Sequence, residues 1–225
     1  ILKQFVQHFS EYHIDPLCFN LNLGCPSPEI IVQGGGAALI KRTKRVAELV
    51  EILQRLGYPV SVKMRLGLNV LEKKHQVYLS LLRDVGADAF IIHARHARQR
   101  SSEPADWTIF NECVETGKHI IPNGDISTKE DLSYFKKLGV QEVMIGRAAL
   151  RNPSVFGFLK GKEKISLPLL RKEYSELTQE YSSAGKYKEN VLASLGKAIQ
   201  SKKWLMCDTR YFNSLSLFAL MDYKG

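Results

Sequence analysis

Five short apolar runs, rich in β-branched or aromatic residues, constrain this chain more than any other feature: LCFNLN (17–22), VSVKMR (60–65), AFIIHA (89–94), HIIPNG (119–124) and EVMIG (142–146). Each is apolar throughout rather than alternating, which predicts parallel strands buried on both faces. Amphipathic stretches lie between them, with Val46, Leu49, Val50 and Leu53, then Val77, Leu81 and Leu82, then Leu132, Phe135 and Leu138 at helical spacing. Ser127 with Glu130 reads as a capping box opening the third helix. Gly57, Gly86 and Gly139 stand where left-handed helix ends are wanted before the next strand. Repeated helix, glycine and strand give a parallel α/β fold.

Two architectures satisfy that order. An open doubly wound sheet needs only these strands. A (β/α)8 barrel would place about three further strand units outside this sequence, ahead of the helix-like opening segment in which Ile1, Leu2, Phe5, Val6 and Phe9 share a face. From about residue 165 the pattern is helical only, with Leu169, Leu170, Tyr174, Leu177 and Tyr181, a turn at SSAGKYKEN, and then Val191, Leu192, Leu195 and Ile199. The expected organisation is an α/β catalytic part over 1–160 and a small all-α part over 161–225.

With 225 residues and 44% hydrophobic content, the chain can bury a core. No apolar run is long enough to cross a bilayer, and ILKQFVQHFSEY has neither a basic leader nor an apolar block, so a cytoplasmic protein is expected. Cys18, Cys25, Cys113 and Cys207 form no C-x-x-C pair, which predicts reduced thiols and no zinc site. A formal charge of +9 favours a polyanionic partner.

Ligands of parallel α/β folds bind beyond the carboxyl ends of the strands. Those positions hold Asn22, Gly24 and Cys25; Lys63 and Arg65; His93 and Arg95; Asn123, Gly124 and Asp125; and Gly146 and Arg147. Lys63 and Arg65 share one face of their strand, so they need either a buried carboxylate or an anionic ligand. The glycines and Arg147 at the ends of the last two strands suit a phosphate, which favours the barrel. GGGAAL (34–39) is a weaker phosphate candidate. Cys25, between Gly24 and Pro26, can transfer a proton or attack an electrophile.

At NLNLGCPSP, VKMRLG, HARHARQ, ADW, NGDI and IGRAALRNPSVF the sequence resembles the tRNA-dihydrouridine synthases, with order and spacing in agreement over about residues 1–160. The helical tail is similar to that family's RNA-binding domain. The resemblance implies a TIM (β/α)8 barrel that binds FMN, is reduced by NADPH and passes a hydride from flavin N5 to C6 of a uracil in tRNA. Cys25 matches the cysteine that protonates C5. Lys63, His93, Asn123, Gly124, Asp125, Gly146 and Arg147 match flavin contacts, and Asn22 and Arg95 match positions lining flavin and uracil. It also implies action on a base turned out of the RNA, and a monomer without metal is expected. The family's first strands, including a segment that packs on the flavin and a flavin-binding glutamine, have no counterpart in these 225 residues. Asn20, Ser101, Glu103, Arg151 and Ser154 depart from the family pattern. The competing readings are an FMN barrel acting on a free pyrimidine and a catalytically silent RNA-binding relative.

Overall fold

The computed structural model describes residues 18–180 and 220–222. The helix-like segment at 1–9, the turn at SSAGKYKEN, the helix expected around 191–199 and Cys207 lie outside the described residues. The chain forms two compact units, one reaching to Asn123 with Leu138–Val140 added, the other comprising Gly124–Lys137 and the chain from Gln141 onward.

The first unit carries strands β1 (Phe19–Leu23), β2 (Val60–Met64), β3 (Ala89–His93) and β4 (Ile120–Asn123). All are parallel and neighbours in sequence order, with Leu21 opposite Val62, Val62 opposite Phe90 and Phe90 opposite Ile120. Between them run α1 (Pro28–Val32), a 3-10 turn (Gly36–Lys41), α2 (Thr43–Arg55), α3 (Val70–Lys74), α4 (Val77–Asp84) and α5 (Ile109–Glu115). Strands laid down in order through right-handed crossovers put their helices on one side of the sheet. A doubly wound sheet must reverse its order at a switch point, and these four strands do not. That order is compatible with part of a barrel wall, and the sheet does not close among the described residues.

Burial follows the two-sided expectation in β3 and β4, whose consecutive residues Phe90–Ile92 and Ile120–Pro122 are buried, and departs from it in β1 and β2. Along β2 it alternates: Val60, Val62 and Met64 are buried, whereas Ser61 and Lys63 are only half-buried. One sheet face, with Val62, Met64, Phe90 and Ile92 at 0% exposure, is apolar. Helix α2 supplies buried Val46, Val50 and Leu53 at i, i+4 and i+7, and α4 supplies Leu81 and Leu82. Full burial of each such side chain stabilises by about 1.5–3 kcal/mol. The other face carries Asn22, Lys63, Ile91 and Ile121 in register, then His93 and Asn123 one layer further on. Its isoleucines are buried and its polar groups gather toward the strand ends. The runs look uniformly apolar because lysine, asparagine and histidine are few in each, yet those few occupy one parity.

Two local expectations shift. Helix α6 (Lys129–Lys137), in the second unit, opens with a reciprocal cap one residue later than Ser127 and Glu130. Thr128 Oγ1 accepts from the Asp131 N–H at 3.1 Å, and Asp131 Oδ2 accepts from the Ser127 and Thr128 N–H groups at 2.7 and 2.8 Å. Gly57 and Gly139 adopt the left-handed backbone foreseen for them. Helix α4 instead ends on Val85 in extended conformation.

The second unit also contains β5 (Glu142–Met144), α7 (Arg147–Arg151), α8 (Val155–Leu159) and α9 (Leu167–Glu180). The tail is not helical only: β6 (Leu220–Asp222) pairs antiparallel with β5, Val143 opposite Met221. A three-residue apolar stretch is too short to carry a period that tells strand from helix. Asn152 pins the strap between α8 and α9: its Oδ1 accepts from the N–H and hydroxyl of Ser154 at 2.9 and 2.6 Å, and its Nδ2 donates to Ile165 O at 3.2 Å. Ser154 Oγ in turn accepts from the Ile165 N–H at 3.1 Å. Ser154 is thus a structural hydroxyl in this chain. Asn152→Ala is expected to lower stability by about 1–3 kcal/mol, read as a shift in denaturant midpoint at constant m-value.

Candidate functional site

Cys25 follows β1 on a backbone held from several directions. Asn22 Oδ1 accepts from the Gly24 N–H at 3.0 Å, forming a tight turn. Arg65 donates through Nε to Gly24 O at 3.0 Å and through Nη1 to His96 O at 3.3 Å, tying the loop after β1 to the loop after β3. Cys25 O accepts from the Ala37 N–H at 3.0 Å. Gly36 backs this turn in left-handed conformation (φ 51°), where an added Cβ would lie 2.7 Å from Cys25 O. Gly36 of the glycine-rich run thus packs closely against the cysteine turn.

The thiols differ in environment. Cys25 is half-buried, Cys18 is exposed ahead of β1, and Cys113 is buried in α5 with its pKa pushed up to about 12 by burial. Cys113 therefore stays a protonated, inert thiol.

Lys63 sits directly across from Asn22 on the polar face. It has no hydrogen-bond or carboxylate partner among the described residues, so the buried salt bridge that could have explained it is not formed there. Burial, and then the neighbouring Arg65 charge, lower its pKa to about 8. An anion would relieve both effects. Of all the observations, this one fits a bound anionic cofactor best.

His93 and Asn123 are register partners at the ends of β3 and β4. Arg95 is 2% exposed. Its Nε and Nη2 donate to Glu103 O at 2.8 and 2.5 Å, and its Nη1 lies 3.1 Å from His93 Nε2. The loop after β3 is braced further by Lys73 Nζ on Asp106 Oδ2 at 2.5 Å. His96 Nδ1 is buried without a hydrogen-bond partner in the described residues, and burial lowers its pKa. Asn20 donates through Nδ2 to Ser61 Oγ at 2.8 Å.

In the second unit Gly124 and Asp125 have positive φ, and Asp125 Oδ1 pairs with the Arg147 guanidinium at the start of α7. A Cβ added at Gly146 would meet nothing within 4 Å, so the space in front of that glycine is open. Positive charge, a glycine turn and free space suit a phosphate, with Asp125 orienting the arginine.

Sequence reasoning found the strand-end residues but not Arg65 as a tie between loops, nor Gly36 as the support of Cys25. For Arg65 a signal existed in its shared parity with Lys63. For Gly36 there was none, because its neighbour is a backbone carbonyl eleven positions earlier.

A thiol, a lysine and a histidine thus lie at or just beyond the carboxyl ends of parallel strands in a β/α scaffold, where ligands of such folds bind. The chain belongs to the dihydrouridine synthase family, whose model, described as Dihydrouridine synthase (Dus), matches residues 3–215. It is 34% identical over 144 residues to the human tRNA-dihydrouridine(47) synthase, NAD(P)(+)-like, covering 63% of this chain and 22% of that protein. It is 33% identical over 145 residues to the tRNA-dihydrouridine(20) synthase of Schizosaccharomyces pombe, covering 61% and 30%. A probable tRNA-dihydrouridine synthase 2 of Bacillus subtilis is 33% identical over 174 residues, covering 72% and 52%. The chain thus spans about half or less of the length of these relatives. No helix of the described residues is long and apolar enough to cross a membrane, and no group of side chains there could hold a metal ion.

Proposed function

We propose that the protein containing this chain reduces uridine in tRNA to 5,6-dihydrouridine on a (β/α)8 barrel, with FMN as cofactor and NADPH as electron donor. The observation that carries the reading is Lys63, an unpartnered cation among the described residues, on the strand beside the one leading to Cys25. Bound FMN supplies the two-electron reduction of the uracil C5–C6 bond. Lys63 and His93 are proposed to hold the flavin ring, and Asn123, Gly124, Asp125, Gly146 and Arg147 its phosphate side. The Cys25 thiol donates the proton that C5 needs, and its thiolate is reprotonated from solvent. Asn22 orients the cysteine turn at the uracil position. The charge of +9 supports a polyanionic substrate, the helical part from 161 is proposed to contact the RNA, and a monomer acting in the cytoplasm is consistent with this reading.

The visible absorbance spectrum of the purified full-length protein is the first test. Flavin bands support the reading, and their absence after addition of FMN sinks it.

Lys63 gives a signed pH prediction. Its folded pKa lies below the ordinary lysine value, so the unfolded chain holds more protons between about pH 8 and the usual lysine range. Stability without ligand should rise with pH across that window and change less in Lys63→Met. Over the same window FMN affinity should fall, by at most about tenfold per pH unit, as the cation is lost. Titrations monitored by flavin fluorescence at pH 7 and 9.5 check this, and equal affinity at both would exclude the Lys63 cation as a contact of the bound flavin.

A further inference from the structure

We propose that Arg95 is a positioning residue that fixes His93 as the neutral tautomer carrying its proton on Nδ1. A guanidinium has five N–H donors and no acceptor. The 3.1 Å contact between Arg95 Nη1 and His93 Nε2 is therefore a hydrogen bond only when Nε2 brings its lone pair. The other tautomer would set one N–H against another in a site where Arg95 is only 2% exposed. The imidazolium would add a second positive charge against the first.

The arginine cannot turn away to relieve such a conflict. Its Nε and Nη2 are both committed to Glu103 O, at 2.8 and 2.5 Å. That carbonyl is itself fixed by a closed turn, in which the Glu103 N–H donates to Arg100 O at 3.2 Å and Glu103 Oε2 accepts from the Arg100 N–H at 2.7 Å. On the histidine side, the Arg95 N–H donates to His93 O at 2.7 Å, a three-residue turn that brings the two side chains to the same side. Only a fork-shaped cation holds one carbonyl with two N–H groups and reaches an imidazole with a third.

The consequence is a division of roles. His93 has a single ring donor, Nδ1–H, so what that nitrogen binds must be an acceptor. Nε2, its lone pair taken, neither delivers nor collects a proton. Acid work at the strand ends then falls to Cys25. This use in catalysis rests on the function proposed above, whereas the tautomer itself stands on geometry alone.

The test is a long-range proton–nitrogen correlation spectrum of the full-length protein labelled at histidine with nitrogen-15, with His93 assigned from the signals lost in His93→Gln. The expected wild-type pattern is a protonated Nδ1 and an unprotonated Nε2. Folded Arg95→Met should shift His93 toward a mixture of both tautomers. A wild-type ring protonated at Nε2, or a folded Arg95→Met with an unchanged pattern, overturns the proposal. If Arg95→Met does not fold, the wild-type spectrum decides alone. A protein without flavin bands would remove the functional reading and leave this measurement valid.

Discussion

Cys25→Ala is expected to retain flavin absorbance and to lose dihydrouridine formation on unmodified tRNA by about 10²–10⁴-fold, the range for removing a positioned general acid. Among the described thiols only Cys25 is both half-buried and at a strand end; Cys113 is locked in its neutral form and Cys18 is exposed ahead of β1. The backbone around Cys25 is fixed by Arg65 and by the Ala37 N–H, so alanine removes the thiol without moving the turn. The measurement is dihydrouridine content per tRNA after single-turnover reaction. Turnover at the wild-type rate would assign the proton to another group, and loss of flavin together with activity would make Cys25 a cofactor contact instead.

Gly36→Ala is the second large effect. Any side chain at φ 51° costs about 1–2 kcal/mol in the left-handed region. Here the new Cβ would also sit 2.7 Å from Cys25 O and 3.1 Å from Cys25 Cβ, so the cysteine turn must shift. Together these should lower stability by about 2–3 kcal/mol and slow turnover without touching any ligand. Gly57→Ala is the control, because Gly57 is also left-handed (φ 90°) but a Cβ there meets nothing within 4 Å. It should lose about 1 kcal/mol or slightly more and keep its rate. If both variants lose equal stability and neither changes turnover, Gly36 has no special hold on Cys25.

The strands were legible because their core residues are largely β-branched or aromatic: β2 to β5 lie within the runs read from sequence, and β1 overlaps its run but extends one residue past it to Leu23. Their alternation was not, since Lys63 and His93 interrupt runs whose other inner positions, Ile91 and Ile121, are apolar too. Ser127 and Thr128 are both hydroxyl residues followed three positions later by an acid, so sequence could not say which opens the helix; the helix start at Lys129 decides it. Arg95, which the resemblance places at a position lining flavin and uracil, also braces the loop after β3 through a main-chain carbonyl eight residues on, and a carbonyl has no signature in the sequence.

The in-order pairing of β1 to β4 bears on how the unit assembles. Phe19 pairs with Val60, Ser61 with Ala89 and Phe90 with Ile120, so each strand meets a partner roughly 30 to 40 residues away. Closing loops of such similar length differs in entropy by only a few tenths of a kcal/mol, and chain connectivity singles out no pair to form first. During synthesis each strand can dock on the one made just before it. Amide exchange should then report openings that spread from one strand to the next, in graded steps along the sheet.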